Sequence, residues 1–228
     1  QVDNWDYILD GTDIIGLKKL HNTITLEPGC QFELSMEPQN TVSALKDNIE
    51  EINSAIKPIL EEFEIKLINK GVSPKTTYRN IKLIPKKRYH VMANYLWGIL
   101  SDVMMRETAG IQVGIDYKSE EDAIKKLRIF TKISPVMTAM FANSQIRGGV
   151  DTGYKSFRAL AWLNTDNERC GFATKFNKDM TFEDLTAYIG EKFKGQLTNL
   201  GSIKAMSSLI MMMKGGRIGQ QAAFDYAM

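Results

Sequence analysis

Hydrophobic and polar positions alternate through the first 35 residues of this chain and then change period. Ile14, Ile15 and Leu17 precede a polar turn at residues 18–22, and Thr23, Ile24, Thr25, Leu26 and Glu27 then set Ile24 and Leu26 against polar neighbours. Pro28-Gly29 interrupts the run. Beyond it Phe32 and Leu34 are expected in the core, with Gln31, Glu33 and Ser35 on the opposite face. A two-residue period marks a half-buried strand, because successive side chains leave the pleated backbone on opposite sides. From 41 to about 66, Val42, Leu45, Ile49, Ile52, Ile56, Ile59 and Phe63 recur at three- and four-residue spacings and form one helix face. Thr41 suits the N-cap, and Pro58 is expected to kink or divide this helix.

Residues 71–85, with Pro74 and Pro85, read as a loop ending in Lys86-Lys87-Arg88, which is expected to be solvated. A second helix is expected over 89–105. Residues 111–117 alternate again, Ile111, Val113, Ile115 and Tyr117 against Gln112, Gly114 and Asp116, which predicts a half-buried strand. Ser119-Glu120-Glu121-Asp122 reads as a capping-box variant opening a helix to about Met140, with a break expected at Pro135. Residues 143–158, carrying Asn143, Gly148, Gly149, Asp151 and Gly153, read as a long loop, a kind of segment that is usually functional or disordered. Thr181-Phe182-Glu183-Asp184 opens a further helix to about Phe193, and the methionine-rich stretch through Met206 and Met213 has no clear period. Strands and helices mixed without strict βαβ alternation predict an α+β fold with a mainly antiparallel sheet.

Composition narrows the function classes. A length of 228 residues makes one large domain or two small ones, ample for a real core, and 1–228 is read as a single catalytic-type domain. Lys and Arg total 29 against 27 Asp and Glu, so no basic field argues for nucleic acid as a partner. No apolar stretch approaches a membrane span, and the acidic opening QVDNWDYILD has no positive region before an apolar run, so no secretory signal is expected. Two cysteines, Cys30 and Cys170, exclude a disulfide scaffold and fit a reducing compartment. A soluble cytoplasmic protein is the expectation.

Candidate chemistry begins with Glu27 and Glu33, six residues apart on polar strand faces joined by Pro-Gly. Carboxylates on rigid strands suit Mg²⁺, which takes hard oxygen ligands at short distance. Solvated strand glutamates remain the alternative reading, since two carboxylates do not by themselves make a metal site. Arg106, Arg158 and Arg169 stand in odd settings, and guanidinium forks converging on a cleft suit an anionic substrate. Each alone is otherwise a surface ion pair. Trp162, four residues after Arg158, lines a pocket in one reading and a core in the other. There is no GxxxxGK[ST], no GxGxxG and no GxSxG, and His21 and His90 are the only histidines, which argues against a histidine-rich zinc site.

Five segments in one order carry a family likeness. LEPGCQFELS resembles the LEPGGQ-x-ELS of plant-type glutamate–cysteine ligases, and PKKRYHVMANYL their P-x-GRY-x-IM-x-NYM. MMRETAGIQVGIDYKSEEDAIKKLRI is similar to MM-x-RT-x-x-QVN-x-DF-x-SE-x-D-x-x-x-KFR. ISPVMTAMFANS and SFRALAWLNTDNERCGF follow P-x-x-TALFANSP and S-x-R-x-x-x-W-x-x-TD-x-x-R-x-G. The likeness covers about 10–172 and leaves a divergent part at 173–228. It implies a glutamine-synthetase-like curved antiparallel sheet with flanking helices, binding ATP and Mg²⁺. The reaction implied is ligation of the glutamate γ-carboxylate to the amine of cysteine through γ-glutamyl phosphate, the first step of glutathione synthesis. Glu27, Glu33 and Gln112 would then be metal ligands. Arg106 and Arg158 would hold glutamate or phosphate, with Trp162 beside them, and Asp166 and Arg169 would lie near the nucleotide.

Departures are equally specific. The family pattern opens with a GxExE strand absent from this sequence, and no glutamate follows Glu191, where family members carry a late one. Gly114 replaces the asparagine after QV, Cys30 replaces a glycine, and Glu107 is inserted beside Arg106, where it would reshape the substrate pocket. The chain therefore reads as a truncated or divergent member. A ligase using another amine, or an inactive relative that binds a partner, are the alternatives, and a homo-oligomer is compatible with either.

Overall fold

Alternation over the first 35 residues becomes an antiparallel meander: β1 (Asp6–Asp10), β2 (Asp13–Lys19), β3 (Asn22–Leu26) and β4 (Phe32–Ser35), in spatial order β1-β2-β3-β4. The computed structural model describes residues 4–167, 170 and 179–193, so Arg169 and the methionine-rich stretch lie outside the described residues. The chain divides into two compact units, Gln1–Gly110 with Ala142–Thr165, and Ile111–Phe141 with Asp166–Met228.

In the first unit, Ile24 and its register partner Leu34 pack with Leu17 against Ile52 and Ile56 of α1 (Val42–Glu62). Thr41 caps α1, its hydroxyl accepting from the Ala44 N–H at 3.1 Å. The division expected at Pro58 does not occur. Pro58 and Ser54 both lie on the exposed side, so the Ser54 carbonyl deprived of its N–H partner meets water and the helix continues. Phe32, expected in the core, is 36% exposed, and only Leu34 of that pair joins the cluster.

The helix expected over 89–105 is two helices, α2 (Lys87–Tyr95) and α3 (Ser101–Glu107). Gly98 lies between them with its backbone against the carbonyls of Asn164 and Thr165, too close to admit a Cβ, and the Leu100 N–H donates to Asn164 O at 3.1 Å. This long-range fit overrides the local period. The expected 143–158 loop is largely ordered. A hairpin of β5 (Ile146–Arg147) and β6 (Val150–Asp151) turns through Gly148 and Gly149, both at positive φ (56° and 83°), before α5 (Phe157–Leu163). Val72, Val103, Phe157 and Ala161 form the core shared by α3, α5 and the 71–85 loop.

In the second unit, α4 (Glu120–Met140) is capped as expected. Ser119 Oγ accepts from the Asp122 N–H at 3.2 Å, and the Asp122 carboxylate accepts from the Lys118 N–H at 3.0 Å. α4 passes through exposed Pro135 without a break. It packs with α6 (Phe182–Phe193), whose opening Thr181 and Asp184 exchange the expected cap bonds. The strand expected at 111–117 is absent. Ile111 is 92% exposed, and no ladder forms there among the described residues. A strand exists only as one member of a pair, so alternation without a partner leaves irregular chain. The result is an α+β protein with antiparallel sheets.

Candidate functional site

Register turns the six-residue spacing of Glu27 and Glu33 into proximity. Thr25 pairs with Glu33 and Leu26 with Phe32, and the Glu27 N–H continues the ladder to Gln31 O at 2.9 Å. Opposed residues share a face, so Glu27 and Glu33 are diagonal neighbours on it. The turn between them is fixed at several points. The Cys30 N–H donates to Glu27 O at 2.8 Å, with Cys30 itself at a left-handed φ of 63°. The Gly29 N–H donates to Gln31 Oε1 at 2.6 Å, and Gln31 Nε2 donates to Met105 O and Thr108 O at 3.0 and 2.9 Å. Gly29 lies against the Arg106 backbone with no room for a Cβ, so the Pro-Gly turn seats on the end of α3.

Beneath the pair lies a group that sequence reasoning missed. Tyr89 is 1% exposed and its hydroxyl donates to Glu27 Oε1 at 2.9 Å. Lys86, expected in solvent, is 6% exposed, with Nζ 3.4 Å from the Tyr89 hydroxyl and 4.7 Å from its ring centroid. Its backbone caps α2, and the neighbouring Ile84 N–H donates to Pro28 O at 3.1 Å, which draws this segment under the turn. The only signal in the sequence was the K-R-Y motif itself.

Burial raises the Glu33 carboxyl above its ordinary range, and the charge and shared hydrogen bond of Glu27 raise it further, against smaller opposing effects of Thr25 and Lys86. Burial and Arg88 lower the Lys86 ammonium, while Glu27, Asp10 and Glu33 counteract them. Burial, then Glu27, raises the Tyr89 hydroxyl beyond any working pH, so it stays a donor. Two crowded carboxylates, one of them raised by burial and by its neighbour's charge, are chemically suited to a divalent cation. Among the described residues no group of three or more His, Cys, Asp or Glu gathers. The donor set fits Mg²⁺ completed by water and phosphate, the usual habit of that ion, rather than a full protein cage.

The two arginines differ in their surroundings. Arg106 pairs with Asp102 at 3.0 Å and donates to Tyr78 O and Ile81 O at 3.4 and 3.3 Å, so its terminal nitrogens are taken up by Asp102 and the 71–85 loop, while its Nε is buried without a hydrogen-bond partner. Arg158, on α5, packs against Gly110, where an added Cβ would fall 2.6 Å from a terminal nitrogen, and lies 5.9 Å from the Trp162 ring centroid. Its Nε is buried without a hydrogen-bond partner, and burial lowers its pKa. An anion would relieve both conditions. Glu107 does not face an open pocket. Fully buried, it accepts from Arg147 Nε and Nη2 at 2.6 and 2.7 Å and from the Tyr78 N–H at 2.7 Å. Gln112 is exposed in the irregular 111–117 segment of the second unit, and its role toward a metal rests on the resemblance alone. Asp166, also in that unit, is buried and its carbonyl accepts from the Cys170 N–H at 2.7 Å.

Residues 6–192 match the sequence profile of glutamate-cysteine ligase family 2. The chain belongs to this family. The chloroplastic glutamate–cysteine ligase of Nicotiana tabacum is 39% identical over 191 residues, 81% of this chain and 36% of the tobacco protein. Chloroplastic form A from Oryza sativa subsp. japonica is also 39% identical, over 81% of this chain and 38% of its own length. The Arabidopsis thaliana chloroplastic enzyme is 38% identical over 190 residues, 81% and 36% respectively. This family 2 chain thus spans little more than a third of the curated relatives it matches. The names correct one expectation from the sequence. The relatives are chloroplastic, so the cytoplasmic reading does not stand. Among the described residues no helix is long and apolar enough to cross a membrane, which is silent about compartment.

Proposed function

We propose that this chain carries the metal-binding and glutamate-binding part of an ATP- and Mg²⁺-dependent ligase. In this reading the β1–β4 meander belongs to a glutamine-synthetase-like curved sheet, and the enzyme joins the glutamate γ-carboxylate to the amine of cysteine. The observation that carries the reading is the Glu27–Glu33 pair, held on one strand face, with the Glu33 carboxyl raised by burial and then by the charge of Glu27. A carboxylate is a poor acyl donor at neutral pH, and phosphoryl transfer from ATP supplies the leaving group that amide formation needs. Mg²⁺, when bound, neutralises charge on the transferring phosphoryl. Glu27 and Glu33 would hold it. Arg158, with its buried unpartnered Nε and Trp162 beside it, would receive an anionic group of glutamate or phosphate. Arg106 acts beside this site by fixing the Tyr78 and Ile81 carbonyls.

The test is phosphate release from ATP by the chain with Mg²⁺ and glutamate, with and without cysteine. Release that requires both substrates supports the ligase, and release indifferent to cysteine assigns another amine acceptor. No release from folded protein that still binds Mn²⁺ through Glu33 assigns an inactive relative or a part that needs the remainder of its enzyme. In an active chain, Glu33→Gln is expected to lower Mg²⁺-dependent turnover well over tenfold. Arg158→Lys is expected to raise the glutamate KM with a smaller effect on kcat, because a point charge replaces a planar fork.

A further inference from the structure

Glu27 is held at both its backbone and its side chain. Its N–H and C=O are bound to Gln31 O and the Cys30 N–H at 2.9 and 2.8 Å, so its main chain cannot swing. The side chain is held by a relay in which the Tyr89 hydroxyl donates to Oε1 at 2.9 Å and takes a hydrogen bond from Lys86 Nζ at 3.4 Å. A phenol has one proton, and with that proton on Glu27 its oxygen is left to accept from an ammonium, which can only donate. The direction of the relay is therefore fixed. The ring packs with Ile84 and Met105, a place that phenylalanine would fill as well, so the hydroxyl serves Glu27 and not the core.

We propose that Tyr89, backed by Lys86, is a positioning residue that presents the Glu27 carboxylate to a divalent cation and makes the site selective for a small one. The proposal rests on the reading of Glu27 and Glu33 as metal ligands. Mg²⁺ requires short bonds and near-octahedral angles, and Mn²⁺, the small cation used as its probe, shares the preference for octahedral oxygen sites, whereas Ca²⁺ accepts six to eight oxygens in flexible arrangements. A carboxylate whose tilt is fixed by a buried hydrogen bond satisfies the first demand. One that is free to rock satisfies only the second. Partners that orient a ligand typically alter metal affinity by about 10- to 100-fold. Lys86 opposes a cation by charge while supporting it through geometry, so uncharged Tyr89 gives the cleaner test.

Mn²⁺ binding to the chain is measured by the electron paramagnetic resonance of the free ion, and Ca²⁺ binding by competition, for the unaltered chain, Tyr89→Phe and Glu27→Gln. Tyr89→Phe is expected to weaken Mn²⁺ by about tenfold or more and Ca²⁺ by much less, so that the Mn²⁺/Ca²⁺ affinity ratio falls. A tyrosine with a merely structural role would lower the melting temperature and leave that ratio unchanged, which would overturn the proposal. An unaltered chain that binds no Mn²⁺, or binding that survives Glu27→Gln, removes the metal reading and the proposal with it, a pattern distinct from loss of selectivity alone. Should Tyr89→Phe fail to fold, the unaltered chain with ζ-¹³C tyrosine decides. Addition of Mg²⁺ is expected to shift a tyrosine resonance, and immobility of all eight while Mn²⁺ binds overturns the role.

Discussion

Glu33 is a carboxylate made uncomfortable by its place, and the sign of that discomfort has a measurable consequence. Its pKa is raised on folding, so its contribution to stability is fully present below about 4.5 and is lost as pH rises through the raised value. Without metal, the melting temperature should fall between pH 4.5 and 7 more steeply in the unaltered chain than in Glu33→Gln, and thermal denaturation across that window checks it. Glu107 presents the opposite case, a buried charge with every partner in place. Glu107→Ala would strand Arg147 and the Tyr78 N–H, and about 3 kcal/mol of stability should be lost in chemical denaturation. The sequence displayed Glu27 and Glu33 because strand alternation fixes faces. It could not display Lys86 under the turn or Arg147 opposite Glu107, since those pairings join residues that are distant along the chain.

At the scale of elements, local signals with local causes were legible. Thr41, Ser119 and Thr181 cap the helices they were expected to open, because a cap is decided within four residues. Signals that depend on distant partners misled. Gly98 divides what its period presents as one helix, through carbonyls supplied from Asn164 and Thr165. Gly98→Ala should therefore cost about 2 kcal/mol, measurable as a shift in denaturation midpoint, although the same change on an ordinary exposed helix stabilises. The 111–117 alternation predicted a half-buried strand where the chain is exposed. Replacing Ile111, Val113 and Ile115 together with threonine should change stability by no more than about 0.5 kcal/mol, whereas a strand buried as its pattern reads would lose several times that.

For the whole molecule, family membership and an α+β class with antiparallel sheets were both readable from motif order and period, because each is distributed over many residues. The compartment was not. Charge, cysteine number and hydropathy constrain solubility and redox environment, and the chloroplastic names of the relatives lie beyond what they encode. The turn that carries Glu27 also displays Cys30, an exposed free thiol held in a fixed backbone conformation. The protein thereby has a native attachment point for a reporter beside its proposed cation site. A thiol-reactive fluorophore placed there would turn occupancy of that site into an optical signal without altering a single ligand.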